Sequence, residues 1–170
     1  EKVYVSNESL DDLNGKIKVV ILDTLSNEVY SATFDVSMKA AEVKVFDDIK
    51  SHLPDNLNAY FVDLKLMNQV NEVLADNLYW LSTKPDVIDP NYEHSSWVYT
   101  PNLSFTNLTY IRRLPEASLS KIVTFTEKGE WITATIELSN SSKVLSFFNE
   151  VTLVIDENTA VLPVIWSDNY

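Results

Sequence analysis

The side chains able to do chemistry in this chain are two histidines and many carboxylates. His52 and His94 are the histidines, with Ser51 before the first and Ser95 and Ser96 after the second. A serine next to a histidine is not a nucleophile–base pair, because that pair is defined by geometry across a fold. Both histidines sit beside turn formers and read as solvent-facing loop residues. Asp11-Asp12, Asp47-Asp48 and the set Asp86, Asp89 and Glu93 offer carboxylates for general acid–base work. With 25 acidic residues against 13 basic ones, such groupings arise by number alone and read as solvated surface. Asp86, Asp89 and Glu93 have the hard oxygens that calcium takes, but not the dense Asp-x-Asp-x-Asp-Gly spacing of a calcium loop. No catalytic residue, metal site or cofactor is expected. The lack of cysteine removes disulfides, thiolate metal sites and a cysteine nucleophile.

Aromatic side chains are the other candidates. They crowd into residues 77–101 as Tyr79, Trp80, Tyr92, Trp97 and Tyr99. Sugars expose C–H faces that stack on flat rings, so Trp97, Tyr99, Tyr92 and Trp131 are candidates for a carbohydrate or interdomain contact. The competing reading uses Trp80, Trp97 and Trp166 to fill a domain junction or core, where large rings bury the most area. Trp131 is out of phase with Ile132, Ala134 and Ile136, so it is expected to face outward or toward a neighbour. Asn-x-Ser/Thr acceptor sequences occur at Asn7, Asn102, Asn107 and Asn140, and matter in a eukaryotic secretory setting.

The formal net charge of −12 argues against nucleic acid, which requires a positive surface. An anionic membrane surface is disfavoured for the same reason. No apolar run reaches the length of a membrane span. No leader-like segment is visible. The sequence starts at Glu1, already strand-like at Val3-Tyr4-Val5, and reads as a fragment or a processed product.

Elements that position these residues follow from a period of two. Ile17, Val19 and Ile21 alternate with lysines and valine. Tyr30, Ala32, Phe34 and Val36 do so next, then Tyr60, Val62, Leu64 and Leu66, then Val73 through Leu81. Ile132, Ala134, Ile136 and Leu138 follow, and finally Phe147, Val151, Leu153 and Ile155. Turn formers separate the runs: Asn14-Gly15, Ser26-Asn27, Pro54-Asp55-Asn56, Asn68, Lys128-Gly129, Asn140-Ser141-Ser142 and Asp156-Glu157-Asn158. Asn14-Gly15 is the best hairpin candidate and Lys128-Gly129 the next. Helix is confined to a turn or two at Asp47–Leu53 and a short helix or packed turn at Phe105–Leu114.

The pattern predicts an all-β chain of two antiparallel β-sandwiches in tandem. Residues 1–82 form the first. Residues 83–116 form a stiff connector that holds Pro85, Pro90, Pro101 and Pro115. Residues 117–170 form the second, which is truncated, so that further residues or a neighbouring chain must cover its open edge.

Several runs carry a family resemblance. They are Asn7 after the first strand, Tyr60-Phe-Val-Asp-Leu-Lys-Leu66, Asn77-Leu-Tyr-Trp-Leu-Ser82, Leu114-Pro115 and Leu162-Pro-Val-Ile-Trp-Ser-Asp-Asn-Tyr170. In this order they resemble the C-terminal immunoglobulin-like domains of glycoside hydrolase family 2 enzymes of the exo-β-glucosaminidase and β-mannosidase type. The loop Asp86–Ser96 departs from the family. The resemblance implies a retaining β-glycosidase as parent, whose two barrel glutamates lie about 5–5.5 Å apart. A (β/α)₈ barrel takes about 250 residues and alternating helices, so no catalytic residue transfers to this chain. The implied role is non-catalytic support of the parent's catalytic barrel. The alternative is a stand-alone carbohydrate-binding or adhesive module. The expected partners are that barrel and an oligosaccharide, with neither nucleic acid nor membrane insertion, in the periplasm of a bacterium or secreted from one.

Overall fold

Ile17, Val19 and Ile21 leave one strand on the same side, and the first core is assembled on that side. The computed structural model describes residues 1–92, 101–156, 159–161 and 164–166. The chain forms two compact units, Glu1–Leu114 and Pro115–Tyr170.

Six strands fall within the first 82 residues: β1 (Lys2–Asn7), β2 (Leu13–Asp23), β3 (Glu28–Met38), β4 (Glu42–Asp48), β5 (Ala59–Asn68) and β6 (Val73–Ser82). One antiparallel sheet runs in the order β3-β2-β5-β6, and β1 pairs with β4 in another. Register puts Ile17 opposite Phe34 and Leu66, and Ile21 opposite Tyr30 and Val62. One face of the larger sheet therefore supplies Ile17, Val19, Ile21, Val36, Met38, Tyr60 and Val62 to the core. Val3 and Val5 of β1 and Ile49 complete it. Burying each large apolar side chain contributes about 1.5–3 kcal/mol relative to exposure. β1 shows the pattern plainly: Val3, Val5 and Asn7 are buried and their neighbours exposed.

Helix is limited, among the described residues, to two short 3₁₀ turns, Ile49–His52 and Thr109–Arg113. Both lie where the sequence suggests a turn of helix. The Asp48 carboxylate caps the first by accepting from the Lys50 amide. Beyond β6, β7 (Val87–Ile88) pairs with β8 (Asn102–Ser104) inside the first unit. Trp80 on β6 and Trp166 are each about half exposed, at 44% and 47%, so neither is a filled core position.

The second unit holds β9 (Leu119–Lys128) and β10 (Trp131–Asn140), paired antiparallel over their whole length without a register shift. Gly129 has φ +64° in the turn that joins them, a left-handed value that glycine adopts without strain. Val123, Phe125, Ala134 and Ile136 share one face, and Thr124, Thr126, Thr133 and Thr135 the other. β11 (Val154–Asp156) pairs with β12 (Thr159–Ala160).

Two local expectations are corrected. Asn14-Gly15 is not a hairpin turn: both residues lie inside β2, with Gly15 opposite Val36 and Asn68. A Cβ on Gly15 would sit 2.0 Å from the Met67 carbonyl oxygen, so the glycine permits two backbones to approach closely. The alternation over Phe147–Ile155 yields strand only at Val154–Asp156. Phe148 takes φ 60°, which turns the chain out of the extended conformation before a strand can form there.

Candidate functional site

Asp47 and Asp48 are neighbours in sequence but not a carboxylate pair. Strand geometry sends them to opposite sides, and their side chains are 9% and 52% exposed. Asp47 turns inward and its Oδ1 lies 2.8 Å from His52 Nε2, while Oδ2 is buried without a hydrogen bond. The His52 ring stacks on Tyr30 with centroids 3.7 Å apart and planes 7° from parallel. Burial, reinforced by the Asp47 carboxylate, raises the Tyr30 hydroxyl pKa above the usual phenol value. His52 is thus a packed residue rather than a solvent-facing one. The contacts join side chains of β3, β4 and the turn after it, a packing arrangement. An inward-pointing charge on β4 also makes that strand harder for another sheet to extend.

The remaining carboxylates act on their own surroundings. Asp12 forms a 2.6 Å ion pair with Lys39, whose ammonium holds the Asp12 carboxyl below its ordinary value. Glu42 accepts from the Lys39 amide at 2.7 Å, and that bond lowers its pKa too. Asp86 accepts from the Thr106 amide, and Asp89 from the Asn91 amide at 2.9 Å. Among the described residues no group of three histidine, cysteine, aspartate or glutamate side chains is arranged to hold a metal. Glu93 and His94 lie outside the described residues.

Of the aromatic candidates, Trp97 and Tyr99 also lie outside the described residues. Tyr92 is half-buried in the first unit. Trp131 opens β10 opposite Lys128, on the threonine-rich face of the hairpin, and is 68% exposed. These two belong to different compact units. The Tyr30–His52–Asp47 contact escapes sequence reasoning, since its members come from separate elements.

Residues 2–84 match the mannosidase Ig/CBM-like domain family, and residues 97–170 match the exo-β-D-glucosaminidase Ig-fold domain family. The chain belongs to the immunoglobulin-like domains of the exo-β-D-glucosaminidase and mannosidase type. An exo-β-D-glucosaminidase from Hypocrea jecorina is 32% identical over 178 residues, covering 100% of this chain and 19% of that protein. One from Hypocrea virens is 29% identical over 175 residues, again covering 100% of this chain and 19% of the relative. The chain therefore spans about a fifth of the length of these curated relatives. The crystal structure of Amycolatopsis orientalis exo-chitosanase CsxA superimposes with a TM-score of 0.79 at 23% identity, over 96% of this chain and 20% of that one. That likeness supports the fold of both immunoglobulin-like domains. No α-helix occurs among the described residues, so a (β/α)₈ barrel has no counterpart in this chain.

Proposed function

We propose that this chain is the non-catalytic, paired immunoglobulin-like portion of a retaining β-glycosidase that releases glucosaminyl units from β-linked substrates. One observation carries this reading: the end-to-end alignment with two exo-β-D-glucosaminidases, of which the chain covers 19%. In this reading the chemistry belongs to two carboxylates on a barrel elsewhere in the parent polypeptide. The β-sandwiches buttress that barrel. Its substrate is polymeric, which fits a secreted enzyme.

Trp131 is then the side chain of the second unit best placed to meet that barrel or a bound oligosaccharide. Its ring is exposed, and it stands among threonines on the polar face of its hairpin. Tyr92, Trp97 and Tyr99 are proposed for the same kind of contact in the connector. The same exposed ring favours a second reading, a carbohydrate-binding module that acts alone. A glycan array with the isolated chain tests that reading. Absence of binding at millimolar sugar argues against it.

The test of the main reading is release of glucosamine from the non-reducing end of chitosan oligosaccharides. The longer polypeptide that carries this chain is expected to release it, and the 170-residue chain alone is not. Hydrolysis by the isolated chain would overturn the assignment.

A further inference from the structure

Four Asn-x-Ser/Thr sequences compete for one kind of modification, and the structure separates them. Asn7 is 5% exposed, and its Nδ2 donates to the Asp11 carbonyl at 2.8 Å and the Lys39 carbonyl at 2.9 Å. A sugar on that nitrogen would remove one of the two donors and has no space to occupy. Asn140 is exposed, but its Nδ2 is engaged by the Val144 carbonyl at 2.8 Å. Asn102 is half-buried within β8. Asn107 lies between β8 and the second 3₁₀ turn and is exposed. Its Oδ1 accepts from the Thr109 amide at 3.1 Å and the Thr109 hydroxyl at 2.5 Å. Its Nδ2 makes no hydrogen bond among the described residues, so a proton can be replaced there without breaking a contact.

We propose that Asn107 is the acceptor of an N-linked glycan when the chain passes through a eukaryotic secretory pathway. The two relatives aligned along its whole length come from Hypocrea, a eukaryote. In the transfer, Asn107 Nδ2 attacks C1 of an oligosaccharide carried on a lipid pyrophosphate. The N–C1 bond forms, the C1–O bond to phosphate breaks, Nδ2 gives up one proton, and the lipid pyrophosphate leaves. The glycan would stand two residues from Phe105 and four from Leu103, which are 75% and 66% exposed. It would shield apolar surface that otherwise favours association.

The experiment expresses the full chain behind a secretion leader in yeast and follows both the secreted and the cell-retained fractions. Peptide N-glycosidase treatment should change the mobility of the chain and deamidate Asn107 in its tryptic peptide. Asn107→Gln and Thr109→Ala should each abolish both changes, whereas Asn140→Gln should leave the Asn107 peptide modified. An unmodified Asn107 peptide in both fractions would overturn the proposal. So would a glycan on Asn7 in the folded, secreted chain, because the argument from burial would then fail.

Discussion

His52 Nε2 and Asp47 Oδ1 meet at 2.8 Å where β4 runs into the first 3₁₀ turn, with Tyr30 stacked on the imidazole. The contact ties β3, β4 and the turn that follows into one corner of the first sandwich. His52→Ala leaves the buried Asp47 carboxylate without its partner. The expected loss is about 1–3 kcal/mol, read as a lower urea midpoint with an unchanged slope. The Asp47→Ala/His52→Ala double variant should lose less than the sum of the single losses. Simple additivity would show that the two groups do not interact.

Gly15→Ala places a Cβ against the Met67 carbonyl, a contact of 2.0 Å. The strands β2 and β5 must separate to admit it. The expected cost is about 3 kcal/mol, at the upper end for overpacking, measured by thermal or chemical unfolding. A stability equal to that of the parent chain would mean that Gly15 is a tolerant position.

These two sites mark what the sequence makes legible. The alternation of Ile17, Val19 and Ile21, and of Tyr60 and Val62, reports the core face directly, because strand side chains alternate by covalent geometry. Asn14-Gly15 misleads because the dipeptide is a local turn signal, while the demand on Gly15 comes from Met67, distant in sequence. Asp47-Asp48 reads as solvated for a similar reason: the bulge between Val3 and Tyr4 shifts register on the partner strand, and nothing local shows that Asp47 turns inward. The run Phe147–Ile155 has strand periodicity, but the left-handed backbone at Phe148 interrupts it. The immunoglobulin-like fold was legible from periodicity, turns and short family runs. The sugar-facing chemistry was not, because the carboxylates that perform it in the proposed parent are not in this chain.

Stability should fall at both extremes of pH. Burial of Tyr60, aided by the Glu1 carboxylate that accepts its hydroxyl, raises its pKa above the ordinary 10.0. A raised folded value favours the protonated phenol, so this stability is present below pH 10 and is lost as the pH rises beyond it. Asp12 and Glu42 are held below their ordinary 3.8 and 4.5, so their contribution is present above those values and lost as pH falls through the lower folded ones. Tyr60→Phe should flatten the alkaline limb of the stability profile and leave the acid limb in place. An unchanged alkaline limb would remove Tyr60 as its source.

Trp131→Ala should change the stability of the isolated chain by less than about 0.5 kcal/mol, as expected for an exposed side chain. A larger fall in melting temperature would make the ring part of a core. In the longer polypeptide the same substitution should weaken whichever contact Trp131 makes outside its hairpin.

The most direct measurement is deletion of this 170-residue stretch from the longer polypeptide, followed by thermal unfolding and by kcat and KM on chitosan oligosaccharides. A buttressing role predicts a large drop in melting temperature or loss of soluble enzyme, with KM unchanged in whatever remains folded. Unaltered thermal stability with a raised KM would contradict it, and would make the chain a sugar-binding module instead.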